Sequence, residues 1–276
     1  MNVPTKIEMY DHYFEDPKGN KFQKEINHVK VQYFYFQSPF TIQTGRNEVC
    51  NFCIVKGSSQ LTHTQEHFTL NQFDMVFLPP NEHITINPGS KDEFQNKICI
   101  VTAPILENHT KEHPIKFEIQ RFALEKFLPR GELGDTRKMA TYREIWTAFK
   151  NGYFMSGFTN IPQTALAQGV ITSVNLEKEG ETIKIYSHIH PGYPEIYIYC
   201  IDDPTASIPV TQFLINIEGQ SVSKNLTDGA GIFFDGSLGH MNFVKPTYRN
   251  LKYCLYMWII PTYGKVQDIT PQSLKC

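Results

Sequence analysis

The most informative stretch of the chain is Ser187-His188-Ile189-His190-Pro191-Gly192-Tyr193-Pro194-Glu195. Alternate residues of a β-strand point to the same face, so His188 and His190 are predicted to share one face. The prolines and glycine between this pair and Glu195 predict a tight turn. Glu195 begins the next apolar and aromatic run, from which its carboxylate can return toward the imidazoles. The stretch therefore predicts two histidines and one carboxylate converging on a metal ion.

A further ligand must come from a more distant part of the chain, and His240 is the candidate. It lies in Asp235-Gly236-Ser237-Leu238-Gly239-His240, after a strand pattern and within a glycine-rich turn that can aim a side chain inward. Three nitrogens and one carboxylate suit Zn, Fe, Mn, Co or Ni, so the ligand types alone do not select the ion. Open coordination positions would make such a site catalytic rather than structural.

The rest of the chain has the pattern of an all-β protein. Short runs rich in Ile, Val, Phe, Tyr and Thr recur between Gly, Pro, Asn and Asp, which favours a sandwich or barrel. Weak helical patterns occur at Thr141–Phe149 and Ala123–Phe127. The predicted strands are Val31–Phe36, Cys50–Val55, Met75–Leu78, Lys97–Val101, Ala165–Asn175, Thr182–Ser187, Glu195–Cys200, Thr211–Ile217, Gly231–Phe234 and Leu251–Ile260.

The two halves of the chain repeat the same order of elements. In the first half an acidic turn at Asp74 leads into an apolar strand that ends at Pro79-Pro80, and in the second half Asp228-Gly229 leads into Gly231–Phe234. A polar, glycine-containing stretch at Pro129–Lys138 separates the halves. The repetition predicts a duplicated barrel, with one barrel in residues 1–130 and the other in residues 131–276.

The spacing His-x-His, four residues, Glu, and a later His after a glycine-containing turn resembles the two-part cupin metal motif. Arg143-Glu144-Ile145, the aromatic strand after Glu195, and Tyr256-Met257-Trp258 resemble elements of the family of 5-keto-4-deoxyuronate isomerase and 5-deoxy-glucuronate isomerase. This resemblance implies an all-β bicupin fold, with two cupin barrels of the double-stranded β-helix type and metal in the C-terminal barrel only. It implies zinc as the expected ion, and as its ligands His188, His190, Glu195 and His240.

The same resemblance implies a metal-dependent ketol-isomerase acting on a uronate-type sugar acid. The preferred substrate is 5-keto-4-deoxyuronate, and the alternative within the family is 5-deoxy-glucuronate from inositol breakdown. An iron-dependent cupin dioxygenase, which uses the same ligands, and a non-enzymatic sugar-binding cupin are the alternatives from other classes. Glu195 is the candidate general base. The candidate substrate-binding residues are Tyr197, Tyr199, Arg143 and Tyr256.

Composition narrows the partners that we expect. With 26 basic and 28 acidic residues the net charge is -2, which argues against binding to nucleic acid. No apolar run approaches the roughly 20 residues that span a membrane, and the N-terminus has no signal-peptide pattern. The six cysteines are thinly spread, which favours reduced thiols and a cytoplasmic location. We expect a homo-oligomer that acts on a small sugar acid, without a nucleic-acid or membrane partner.

Two other pairs of residues are weaker candidates for chemistry. Cys50 and Cys53 lie three apart in a strand pattern, which places the two thiols on opposite faces and favours structural thiols over a redox pair. His63 and His67 lie four apart, but no third ligand with matching geometry follows them. The sequence therefore predicts no second metal site in the first half.

Overall fold

The computed structural model describes residues 13–14, 22–91, 95–105, 116–122, 128–129, 141–142, 154–161, 173–178, 181–186, 188–190, 192–203, 205, 207–244, 253–261 and 272–273. These residues contain β-strands and no α-helix, so the all-β prediction is confirmed. Each predicted strand overlaps an observed one. Within this part of the chain, no helix is long and apolar enough to cross a membrane.

The described strands are distributed along both halves of the chain. The first half contains β1 Tyr13–Phe14, β2 Phe22–Ile26, β3 Val29–Tyr35, β4 Phe40–Gln43, β5 Glu48–Lys56, β6 Ser59–His63, β7 Glu66–Leu70, β8 Met75–Leu78, β9 His83–Pro88, β10 Lys97–Pro104 and β11 Glu118–Gln120. The rest contains β12 Leu128–Pro129, β13 Thr141–Tyr142, β14 Phe154–Asn160, β15 Ser173–Lys178, β16 Glu181–Tyr186, β17 His188–Ile189, β18 Glu195–Ile201, β19 Val210–Ile215, β20 Ser221–Leu226, β21 Gly231–Phe234, β22 Gly239–Phe243, β23 Cys254–Pro261 and β24 Gln272–Ser273.

The two halves form two barrels with the same topology. In the first, the order β8-β5-β10-β3 makes one sheet and β4-β9-β6-β7 the other. In the second, β21-β18-β23-β14 and β17-β22-β19-β20 repeat those orders strand for strand. All the pairings are antiparallel, which is typical of barrels with one face of each strand turned inward. The duplication predicted from the sequence is therefore present in the fold.

Several short strands extend these sheets at their edges. β1, from the start of the chain, pairs with β21 of the second barrel, and β11 pairs with β8 of the first. β12 and β13 pair with each other and join β14, while β24 pairs with β17. The strands of the second barrel thus come from both sides of residue 130, and the proposed division of the chain at that residue stays a prediction.

The weak helical pattern at Thr141–Phe149 is wrong at its start. Thr141–Tyr142 forms a strand, because it pairs with Leu128–Pro129 on one side and Tyr142 pairs with Thr159 on the other. Sheet pairing to distant residues overrides a weak local preference. The rest of that segment and Ala123–Phe127 lie outside the described residues.

The alternation of β5 shows how one strand serves two hydrophobic layers. Cys50 packs inside the first barrel with Phe52 and Ile54, whereas Cys53 packs between the two barrels. The two thiols therefore face opposite sides of the strand, as predicted, and both are buried and form no disulfide. Burial raises the pKa of the Cys50 thiol well above its usual range, with smaller contributions from Glu48 and Cys99, so this thiol is held in its unreactive protonated form.

A shared apolar layer joins the barrels. Buried side chains from β3, β5, β8 and β10 meet those from β14, β18 and β23 in one cluster. At its edge the ring of Phe158 from the second barrel lies 5.0 Å from that of Phe73 and 5.5 Å from that of Phe122, both from the first half. The Gln72 amide also donates a 3.1 Å hydrogen bond to the Tyr253 hydroxyl. The barrels are thus packed as one body by sheet-to-sheet contact.

Removing the Phe158 ring tests whether this layer stabilises both barrels. Phe158→Ala is expected to lower the free energy of unfolding by about 3–5 kcal/mol, because the fully buried ring leaves a cavity between the barrels. Urea unfolding followed by fluorescence and circular dichroism gives the value. Ile217→Ala is the control, since Ile217 is 64% exposed and its loss should change the free energy by less than about 0.5 kcal/mol. A change of similar size in both variants would contradict the interface.

Candidate metal centre

Three strands of the second barrel bring the candidate ligands together. His188 opens β17, and its backbone pairs directly with that of His240 in β22. Directly opposite positions of an antiparallel pair lie on the same face of the sheet. For His188 the structure describes only this backbone placement. His190 follows the end of β17, and Glu195 is the first residue of β18.

The side chains of His190, Glu195 and His240 form one buried cluster whose ligand atoms lie within 4.8 Å of one another. Glu195 Oε1 is 3.5 Å from His190 Nε2 and 3.3 Å from His240 Nε2. The two imidazole rings stack with their centroids 5.5 Å apart. The exposed fractions are 5% for His190, 1% for Glu195 and 0% for His240, so the cluster is shielded from bulk solvent. The predicted convergence of these three side chains is what the structure shows.

The protonation of His240 suits a metal ligand. Its Nδ1 lies 2.9 Å from the carbonyl oxygen of Leu238. A carbonyl oxygen can only accept, so Nδ1 is the donor and a neutral ring carries its lone pair on Nε2, the atom that faces Glu195. A histidine held by its second nitrogen in this way is the usual arrangement of a metal ligand.

The Glu195 carboxylate also fits a cation. Oε1 accepts no hydrogen bond from the described residues, although the side chain is almost completely buried. An ionised carboxylate in such a position costs several kcal/mol unless a positive charge compensates it. A divalent ion between Oε1 and the two Nε2 atoms would supply that charge, so the residues present fit a metal.

A close backbone approach holds the loop that carries His190. The His190 N–H donates a 2.7 Å hydrogen bond to the carbonyl of Gly236, and the Tyr193 N–H donates to the His190 carbonyl at 2.9 Å. A Cβ on Gly236 would lie 1.9 Å from the Tyr193 oxygen and 2.4 Å from the His190 oxygen, distances that no side chain can occupy. Gly236 is therefore required for the turn before β22 to meet the loop after β17.

Tyrosines line the barrel beside the cluster. The Tyr197 ring lies 5.9 Å from His240 and 4.5 Å from Tyr256. Burial raises the pKa of Tyr197, and the charge of Glu195 and a hydrogen bond with it raise that pKa further. The phenol is thus protonated at neutral pH and donates to the carboxylate. Burial, and then Tyr256, raises the pKa of Tyr199 in the same way.

One interior residue was missed by the sequence analysis. Gln212 is fully buried in β19, where its Oε1 accepts a short hydrogen bond from the Tyr199 hydroxyl and its Nε2 donates to the Phe213 carbonyl at 3.1 Å. Val210, Gln212 and Leu214 alternate along the strand, so a polar residue at an inward position was the available signal. The substrate-binding roles of Tyr197, Tyr199 and Tyr256 stay predictions, and Arg143 lies outside the described residues.

The first barrel carries apolar residues where the second carries its candidate ligands. His188 pairs with His240, and the corresponding pair of β4 and β9 is Ile42 with Ile84. Glu195 pairs with the last residue of β21, and the residue opposite the last residue of β8 is Cys50. All three of these side chains belong to the interior cluster of the first barrel. At these positions the first barrel thus has apolar side chains in place of the carboxylate and imidazoles of the second.

The histidine pair of the first half forms no metal cluster within the described residues. His63 Nε2 contacts Glu82 Oε2 at 2.7 Å and its ring stacks on Phe117 at 4.2 Å. His67 Nδ1 is 3.0 Å from the Thr62 hydroxyl. The two histidines lie on different strands, β6 and β7, and each has its own polar contact.

The close approach at Gly236 gives a direct test of the loop geometry. Gly236→Ala is expected to lower the free energy of unfolding by about 1–3 kcal/mol, because the new methyl group would collide with two backbone oxygens. Thermal or urea unfolding measures the change. Gly45→Ala serves as the control, since the nearest atom to a Cβ there is Glu48 Cβ at 3.9 Å. A Gly236→Ala protein as stable as the control would show that the turn is placed differently.

Comparison with known proteins adds to this description at the level of fold. The sequence matches no protein-family model, and no curated protein matches it in sequence. Among solved structures, the Ylba protein of E. coli is similar with a TM-score of 0.56 and 7% identity, over 97% of this chain and 91% of that one. The Lactobacillus farciminis oxalate decarboxylase, solved as a formate complex, has a TM-score of 0.55 and 9% identity, over 98% and 90% of the two chains.

A third structure carries the fold name in its description. The cupin 2 conserved barrel domain protein from Leptotrichia buccalis is similar with a TM-score of 0.50 and 9% identity, over 90% of this chain and 91% of that one. Identities this low concern the fold alone, and that fold agrees with the repeated strand order described above. The chain therefore has the all-β cupin fold in its two-barrel, bicupin form.

Proposed function

We propose that the second barrel binds one divalent metal ion through His188, His190, Glu195 and His240, and that the protein is a metal-dependent ketol-isomerase of a uronate-type sugar acid. The observation that supports the metal is the buried Glu195 carboxylate, with Oε1 facing the Nε2 atoms of two histidines at 3.3 and 3.5 Å. His188 is included because its backbone lies opposite that of His240.

The chain's own residues would orient the ligands and the substrate. The Tyr197 hydroxyl holds the Glu195 carboxylate by a hydrogen bond, and the Leu238 carbonyl holds the His240 ring. Tyr199 and Tyr256 belong to the same buried cluster as Tyr197. The three phenols would form a hydroxyl-bearing wall of the interior that is shielded from water. Such a wall suits a polyhydroxylated substrate, because phenols both donate and accept hydrogen bonds.

Ketol isomerisation matches what a buried metal with open positions can do. The reaction moves a proton between neighbouring carbons while a carbonyl and a hydroxyl exchange places, so it needs no external oxidant. A divalent ion, when bound, would act as a Lewis acid on the two neighbouring oxygens. The choice of 5-keto-4-deoxyuronate over 5-deoxy-glucuronate rests on the resemblance in the ligand motif. Glu195 would serve as the general base when its contact with the metal loosens.

A similar fold is known to hold a small carboxylate. The Lactobacillus farciminis oxalate decarboxylase was solved with formate, and its likeness to this chain is one of fold. This supports a carboxylate-bearing substrate for the second barrel. A carboxylate-bearing substrate also suits a decarboxylating or oxidative reaction. The metal content and the turnover are therefore measured separately.

Metal content is the first measurement. Purified protein is expected to contain close to one zinc per chain by elemental mass analysis, and His190→Ala should lose it, since a missing ligand weakens a site of this kind strongly. His67→Ala is the matched control, because it removes the same side chain from an exposed position in the first barrel. Equal metal content in both variants would contradict the site. No metal in any of the proteins, even after incubation with excess ions, would do so as well.

Turnover separates the isomerase from its rivals. Zinc-loaded protein is expected to convert 5-keto-4-deoxyuronate to its ketol isomer without oxygen uptake, and chelation should abolish turnover while the protein stays folded. Bound iron with oxygen consumption would favour the cupin dioxygenase instead. A metal-loaded protein that binds uronates without converting them would favour a sugar-binding cupin.

A further inference from the structure

The strand that carries the first candidate ligand is two residues long and lies between two others. β17 consists of His188 and Ile189 only. On one side His188 pairs with His240 of β22, and on the other His188 and Ile189 pair with Ser273 and Gln272 of β24. β24 thus lies directly against the strand that carries His188.

We propose that β24 is a structural part of the metal centre, which holds β17 in place so that the C-terminal strand sets the metal affinity of the barrel. This inference rests on the proposed metal site. It gives the C-terminal residues a positioning role, in which they act through the backbone of β17 and not by contact with the metal or substrate.

The backbone pairing of β17 with its own barrel is limited. Among the described residues of this segment, His188 pairs with β22 and the His190 N–H donates to the Gly236 carbonyl, before the chain turns at Gly192, which has a φ of 82°. In the first barrel the corresponding strand β4 pairs with β9 at four positions, from Phe40 to Gln43. Among the strands that the structure describes, β4 is the edge of its sheet. Within the same described residues, the ligand strand of the second barrel has one pair on its inner side and an added strand on its outer side.

The other ligands are anchored more firmly. Glu195 opens β18, which pairs with both β21 and β23, and His240 lies in β22, which pairs with β19 at five positions. Loss of β24 would therefore loosen β17 while leaving the barrel intact, because local opening follows the number of backbone pairs that must break. A metal site tolerates little displacement of its ligands, so His188 and His190 would bind less well.

A truncated chain tests this directly. A protein that ends at Thr270 lacks β24, and a control that lacks only Lys275 and Cys276 keeps it. The truncated protein is expected to bind zinc about tenfold more weakly or worse in a chelator competition, as for the loss of an outer-shell support. Its far-UV circular dichroism should match that of the control. If the truncated chain does not fold, Ser273→Pro and Gln272→Pro test the same pairing, because proline lacks the N–H that one of these positions donates.

Hydrogen exchange supplies a readout that needs no metal. In the metal-free proteins, amides of residues 187–195 are expected to exchange faster without β24, while those of β18 after residue 196 stay protected. Unchanged exchange together with unchanged zinc affinity would overturn the inference and leave the proposed metal site standing. A full-length protein that binds no metal would contradict the proposed function. If its amides also exchange at the same rate with and without β24, the positioning role is overturned too.

Discussion

The burial of the Glu195 carboxylate is the constraint on which the arrangement of the second barrel depends. A carboxylate that is 1% exposed needs compensating charge or hydrogen bonds in an apolar interior. The Tyr197 phenol donates a hydrogen bond to the group, whereas the two imidazole Nε2 atoms that face Oε1 would share a cation with it. A metal ion would complete this compensation. The polar side chains of this cluster thus surround one buried carboxylate and could hold a metal ion beside it.

The first barrel shows what the same topology becomes without that charge. At the positions that correspond to His188, Glu195 and His240 it carries Ile42, Cys50 and Ile84, and its interior is an apolar cluster. Packing of such an apolar interior stabilises the barrel. The other face of its β8-β5-β10-β3 sheet packs against the second barrel through the shared apolar layer. The same topology thus encloses a polar cluster in one barrel and an apolar cluster in the other.

The local features of the chain were predictable because their signals are local. The strands follow from alternating apolar runs, and the opposite facing of Cys50 and Cys53 follows from the two-residue period of a strand. The convergence of His190, Glu195 and His240 followed from a spaced motif. The helical pattern was wrong at Thr141–Tyr142, because pairing with distant strands decided the conformation of these two residues. Gln212 was overlooked although its inward position in an alternating strand could have revealed it.

By itself the sequence determined the strand content, the duplication and three members of the buried cluster that could hold a metal, since these follow from residue types and their spacing. Only the tertiary structure decided how the chain ends are used. β1 pairs with β21, and β24 pairs with β17. A two-residue strand is too short to show an apolar periodicity, so its sequence does not predict a partner so distant in the chain. It also decided that Gly236 must be glycine, because the two oxygens that exclude a side chain come from the loop around His190 and Tyr193. Contacts of this kind arise from the closure of the barrel and exist in no single segment.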